Sequence, residues 1–204
     1  MSDAPTAADA ALDAFLQLVA EKGYGGVTLR EVGAAAGLGV AELYRLYRDK
    51  PALVAGFLRR VDDAVLAGTA AALDPEETAR DRLFDVMMRR YDALRPHRAA
   101  VGAVRRAAGR DPALALALAP ALRRSMAAML EAAAVPSDGL AGVVRQGGLL
   151  ALHHAVSRVF EGDESADLSK TMAALDSRLK GAERWAKRLD KYGKKDKPTE
   201  PAPA

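Results

Sequence analysis

Residues 28–53, Thr28-Leu-Arg-Glu-Val-Gly-Ala-Ala-Ala-Gly37-Leu-Gly-Val-Ala-Glu-Leu-Tyr-Arg-Leu-Tyr-Arg-Asp-Lys50-Pro-Ala-Leu53, decide the fold. They read as two short helices joined by a tight turn and followed by a third, the pattern of a helix-turn-helix. Thr28 and Glu31 have the spacing of a capping box, the hydroxyl accepting from the Glu31 amide and the carboxylate reaching back to the Thr28 amide. The first helix therefore starts at a defined residue. Gly37 follows three alanines and can take the left-handed conformation that ends a helix, and Gly39 keeps the turn loose before Val40 opens the second helix. Leu29, Val32, Leu38, Leu43 and Tyr47 supply the apolar contacts that set the angle between the two.

Outward from this motif the chain continues as helix. Of its 204 residues 50% are hydrophobic, enough for a sizeable core in one or two domains. Ala and Leu dominate and β-branched and aromatic residues are few, which favours helix over strand. Punctuation predicts helices over 6–22, 28–36, 40–47, 51–72, 75–94, 97–109, 112–134, 138–161 and 164–191. Asp74-Pro75-Glu76-Glu77 reads as a cap with Pro at the first helical position, and Gly109-Arg110-Asp111-Pro112 repeats the device. Pro136-Ser137-Asp138 and Gly162-Asp163 are read as opening two more helices. The stretch 193–204 mixes Lys, Pro and Ala without apolar periodicity and is expected to be a disordered tail.

Composition bounds the function classes. The chain has no cysteine, hence no disulfide framework and no thiolate nucleophile, as suits a reducing cytoplasm. The N-terminus lacks the basic and apolar blocks of a signal peptide, and the longest nearly apolar run, Pro112 to Leu122, is too short to span a bilayer. A cytoplasmic protein is expected. The formal net charge is +3, but residues 1–72 carry −2, and the positive excess lies in 73–162 and 163–204. Affinity for a polyanion would therefore rest on a local patch.

The order Ala36-Gly37, then Leu43-Tyr44, Tyr47, Lys50 and Leu53 resembles the recognition segment of the TetR family of bacterial repressors, and Ala11-Leu12-Asp13-Ala14-Phe15-Leu16 through Glu21-Lys22-Gly23-Tyr24 is similar to that family's first helix and its Gly-Tyr exit. The resemblance implies an all-α, TetR-like fold: a helix-turn-helix DNA-binding domain over 1–50 and a helical effector-binding and dimerisation domain over 51–192. It implies a ligand-responsive transcriptional regulator, a repressor, binding a palindromic operator in double-stranded DNA as a homodimer, with a small apolar effector. The expected DNA face comprises Thr28, Arg30, Gly39, Val40, Ala41, Glu42, Tyr44, Arg45, Tyr47, Arg48 and Lys50. Four positions depart from the family's run: Gly39 stands where Ser caps the recognition helix, Val40 where a polar residue is frequent, Glu42 where Thr is common, and Leu46 where a Tyr meets a phosphate. Glu42 can accept from a cytosine amino group but also repels the backbone.

In that family the last two long helices pair with those of a second subunit, here 138–161 and 164–191. Leu140, Val143, Val144, Leu149, Leu150, Leu152, Val156 and Val159 make the former apolar on much of its circumference, more than one monomer core needs, and Gly147 and Gly148 allow close approach. The latter carries a heptad stripe of Leu168, Met172, Leu175, Leu179, Ala182, Ala186 and Leu189. Phe84, Met87, Met88, Tyr91, Met126, Met129 and Phe160 are candidate ligand-pocket residues, Met being adaptable lining. Arg90, Gln146, His153 and His154 could orient a ligand head.

The second half, including Arg82 to Met88, Asp92 to Arg98 and Phe160 to Leu168, is also similar to the TetR-like lipid-binding accessory proteins of ubiquinone biosynthesis, a second reading. It implies an apolar lipid or isoprenoid cavity, no DNA, and a membrane-surface contact through the basic face of the last helix around Trp185. Enzyme readings find no support. There is no Gly-x-Ser-x-Gly elbow, phosphate loop or His-Glu-x-x-His. Neighbouring His153 and His154 diverge by about 100° on a helix and cannot chelate one metal together. No cofactor and no metal are expected.

Overall fold

The computed structural model describes residues 6–69 and 76–193, with side chains through Arg184. Among the described residues the regular elements are α1 (Ala7–Lys22), α2 (Leu29–Ala35), α3 (Val40–Leu46), α4 (Lys50–Ala67), α5 (Ala79–Leu94), α6 (Arg98–Ala108), α7 (Pro112–Ala132), α8 (Gly139–Glu161) and α9 (Ser169–Gly193), with single 3-10 turns at Tyr24–Gly26 and Arg95–His97. No strand occurs among them, so the all-α expectation holds.

Local chemistry explains most boundaries. Glu31 Oε2 accepts from the Thr28 amide at 2.9 Å while Thr28 Oγ1 accepts from the Glu31 amide at 3.3 Å, completing the capping box of α2. Gly37, with φ +67°, makes the turn into α3. Asp49 accepts from the Ala52 amide and places Pro51 in the first turn of α4. Asp111 does the same for α7, accepting from two amides.

Three boundaries differ from expectation: α4 ends at Ala67 rather than 72, where the Gly68 amide donates to the Ala64 and Leu66 carbonyls, and two helices start later than expected. The fifth helix starts at Ala79, not 75, because Thr78 accepts from the Asp81 amide and donates to its carboxylate, a stronger start signal than a proline; Asp74 and Pro75 themselves lie outside the described residues. The last helix starts at Ser169 rather than 164. Gly162 closes α8, and buried Asp163 holds the connecting loop by accepting from the Ser165 amide and from the amide and hydroxyl of Thr171. Its carboxylate thereby caps α9 from a distance, where Leu168 at φ +54° offers no polar side chain. The expected disordered tail lies, beyond Gly193, outside the described residues.

The core runs without interruption from the recognition segment into the larger helical body. Phe15 and Val19 of α1, Leu43 of α3 and Leu53 and Phe57 of α4 join Met87 and Tyr91 of α5, Met126 and Met129 of α7 and Phe160 of α8. The helix α4 is the connector, packing along α7, α5 and α1. By length and composition alone α7 could cross a membrane. It sits instead among α4, α5, α6 and α8, where Leu114, Leu118, Met126 and Met129 are buried. Pro120 falls on its exposed side, where the hydrogen bond it forgoes costs least.

Candidate functional site

The first candidate surface is the outer face of α2 and α3. Arg30, Val40, Ala41, Glu42, Tyr44, Arg45 and Arg48 are exposed together, as are Thr28 and Gly39. Tyr44 is 56% exposed although it is aromatic and flanks a buried Leu43. An exposed ring next to Arg45 suits contact with sugar and phosphate. Two expected members stand apart. Tyr47 is buried against Gly56 of α4, where an added Cβ would lie 2.7 Å from the ring, so its role is to fix α3 on α4. Lys50 donates from Nζ to the Tyr24 carbonyl at 2.8 Å and lies 4.5 Å from the Tyr24 ring centroid, which ties α4 to the end of α1. Thr28 is occupied by the capping box. Lys22 and Thr28 hold Glu31 through hydrogen bonds that push its carboxyl down to about 2, so this acid is charged and partnered beside the reading face.

The second candidate is a cavity of about 600 Å³ lined by α1, α4, α5, α6, α7 and α8. Phe15 and Leu16 reach it from α1, Val54, Phe57 and Leu58 from α4, Val101 and Val104 from α6, Leu118 and Leu122 from α7, and Leu150 from α8. The volume is in the usual range for small-molecule sites. Polar groups on its wall are few: Arg90, Arg105, His153, His154 and Ser157. Arg105 is paired with Glu161 through both nitrogens of one edge, Nη2 to Oε2 at 2.8 Å. Burial, then the neighbouring Arg90 charge and His154, push His153 down to about 3, so its ring is neutral. Its Nδ1 lies 3.0 Å from the Tyr91 hydroxyl, and the two rings stack with centroids 5.6 Å apart.

Most of the pocket residues expected from sequence are elsewhere. Met87, Tyr91, Met126, Met129 and Phe160 are packed solid in the core, Phe84 and Met88 are half-buried against it, and Gln146 donates to the Ser137 carbonyl at 2.9 Å. Of that set His153 lines the cavity. The large side chains fill space; the cavity exists where facing positions are small, at Ala100, Ala108, Gly109, Ala115, Ala119, Gly147 and Ala151. Facing runs of Ala and Gly were the available sequence signal, and it goes unused when flexible apolar residues are taken as lining.

A third feature is the outer face of α8. Leu140 is 85% and Val144 69% exposed, and Val143 and Val159 join them. An added Cβ at Gly147 or Gly148 would meet nothing within 4 Å. The stripe on α9 divides: Leu168, Leu175 and Leu179 are buried in this chain, whereas Met172 and Ala182 face outward. Ala186, Leu189 and the basic face around Trp185 fall beyond the described side chains.

Residues 11–56 match the family model described as bacterial regulatory proteins, tetR family. The fold is similar to a TetR transcriptional regulator from Nitrosomonas europaea, at 20% identity over 86% of this chain and 97% of that one, with a TM-score of 0.68. It is similar also to a TetR transcriptional regulator from Rhodococcus sp. RHA1, at 22% identity over 83% and 93%, TM-score 0.60. A third similar structure is the multidrug binding protein EbrR complexed with imidazole, at 23% identity over 86% and 96%, TM-score 0.52. No curated protein matches the sequence.

Proposed function

We propose that this chain, whose residues 11–56 match the tetR family model and whose fold is similar to that of TetR transcriptional regulators, is a transcriptional repressor of that family that holds a palindromic operator as a homodimer and releases it when a small apolar effector fills the cavity. One observation carries the reading. The cavity shares two walls with the reading head: Phe15 and Leu16 belong to α1, which supports α2, and Val54, Phe57 and Leu58 belong to α4, which follows α3 after a three-residue turn. A ligand that needs a different spacing of α1 and α4 therefore also shifts the supports of α2 and α3. Such coupling operates because the ligand binds one arrangement more tightly than the other, and DNA the reverse.

The dimer supplies the second reading head. The exposed apolar face of α8 offers an interface, and Gly147 and Gly148 allow a partner helix to approach. Gly147, Ala151 and His154 are exposed on α8 and also line the cavity, so a helix laid on α8 sits at the cavity's rim. Dimer geometry and ligand occupancy then act on the same residues. Two recognition helices about one helical turn of DNA apart, ~34 Å, read a two-fold-symmetric site. That EbrR is described as a multidrug binding protein and was crystallised with imidazole supports a small-molecule role for this architecture.

Arg45 and Arg48 provide the direct test. Each substitution to Ala is expected to weaken DNA binding across sequences and to lower the slope of log affinity against log salt by about 1 per lost phosphate contact. Fluorescence anisotropy at several salt concentrations measures both quantities. Unchanged affinity and slope in both variants would remove the outer face of α3 from the reading.

A further inference from the structure

Arg90 is 0% exposed and lies on the cavity wall. Its Nη1 donates to Asp62 Oδ1 at 2.6 Å, and Ser125 donates to the same oxygen at 2.6 Å. The buried Nε and Nη2 hydrogen-bond to no protein group. In a guanidinium those two nitrogens form one edge, whose parallel N–H groups match the two oxygens of a carboxylate. A buried donor of a charged group left without a partner is costly, and a native fold retains that cost mainly where a bound group satisfies it.

The remaining charges on the wall point the same way. No Asp or Glu is among the described residues lining the cavity. Arg105 is already satisfied by Glu161, and His153 is held neutral by its burial. The Asp62 side chain, 13% exposed and supported by Ser125, does not draw on the free edge of Arg90. Apart from His154 and Ser157, the rest of the surface is aliphatic and aromatic.

We propose that the cavity binds an amphipathic ligand with one anionic carboxylate head on a hydrocarbon tail, Arg90 receiving the head through Nε and Nη2 and the apolar walls of α4, α6 and α7 holding the tail. The proposal rests on the effector reading above and narrows it. A neutral ligand leaves the Arg90 edge unpaired, and a cationic one meets it as a like charge, so the site discriminates by head group as well as by tail.

Calorimetric titration of the delipidated full chain tests this with three probes of equal tail: dodecanoate, dodecan-1-ol and dodecylammonium, each below its critical micelle concentration. Dodecanoate is expected to bind at least about tenfold more tightly than the alcohol, and the amine not measurably. Arg90→Lys keeps a cation for Asp62 but lacks the flat edge; it should lose about tenfold or more for dodecanoate and nothing for the alcohol. If Arg90→Lys does not fold, the pair Arg90→Met with Asp62→Asn leaves the buried site neutral and carries the same expectation. Val104→Trp fills the cavity and should abolish binding of both. Alcohol binding equal to dodecanoate binding, with Arg90→Lys without effect, would overturn the carboxylate assignment and leave the effector cavity standing. Binding of neither probe, or equal binding by wild type and Val104→Trp, would overturn both.

Discussion

At the start of α2, Thr28 and Glu31 close on each other across three residues and Lys22 completes the group from nine residues away; on the cavity wall, Arg90 reaches across twenty-eight positions to Asp62 and still leaves two donors unpaired. The first arrangement is local and satisfied, and it leaves the outer residues of α2 and α3 exposed. The second is assembled from α4, α5 and α7 and is incomplete within the protein. The proposed regulator would need both kinds of region: one that keeps its shape when DNA is absent, and one whose most stable state depends on what enters it. Local satisfaction gives the former, and a buried, partly unpaired charge gives the latter.

Breaking the second region should have the larger effect. Asp62→Ala leaves Arg90 buried without its carboxylate and is expected to cost about 3–5 kcal/mol in urea denaturation. Dodecanoate should raise the thermal midpoint of that variant more than that of the wild type, since the ligand then supplies the only counter-charge. A loss below about 1 kcal/mol, the range of exposed pairs, would show that water reaches Arg90 and that the contrast drawn here is false.

Acid should also act on the cavity first. His153 is neutral in the fold down to about 3 but protonates near 6.5 when unfolded. The unfolded state therefore binds the extra proton, and stability falls as pH drops from about 6.5, by up to about 1.4 kcal/mol per pH unit. Burial raises the Asp163 carboxyl, but its hydrogen bonds from Ser165 and Thr171 outweigh this and hold it well below the carboxylate range, adding a loss that sets in at lower pH. His153→Gln should flatten the decline between pH 6.5 and 4.5 in urea midpoints. An unaltered slope would place the ring in contact with solvent.

The joint between the regions gives a smaller effect. Gly56→Ala would set a methyl 2.7 Å from the Tyr47 ring, an overpacking expected to cost about 1–3 kcal/mol. If the ring relays cavity changes to α3, the variant also loses DNA affinity in anisotropy titrations; stability loss with full DNA affinity would free Tyr47 from that role. The smallest change is at the reading head, where Thr28→Ala removes the cap of α2 for about 1 kcal/mol, read from the urea midpoint. A cost above that of Asp62→Ala would reverse the ranking of the two regions.

The same difference governs how much could be read from sequence. Thr28, Glu31, Gly37 and Pro51 act through neighbours a few positions away, so the helix-turn-helix is visible in one stretch. Pro75 and Gly162 misled because Thr78 and Asp163 nearby compete with them, and hydrogen bonds over three to eight residues decided the outcome. The cavity was hidden for a stronger reason. Its walls come from six helices, and the residues that shape it are small ones that leave volume, whereas Met87, Met126, Met129 and Phe160, conspicuous in sequence, simply fill the core. His153 and His154 were visible as polar residues on an apolar helix, and with Arg90 of α5 they line the cavity.

In the proposed function the outer face of α3 reads DNA from a symmetric dimer. Selection of bound duplexes from a random pool, with the delipidated protein at moderate salt, addresses it most directly. The account predicts enrichment of a two-fold-symmetric site whose half-sites lie about one helical turn, ~34 Å, apart. A pool that stays as random as the input, from protein shown to be folded and dimeric, would contradict it.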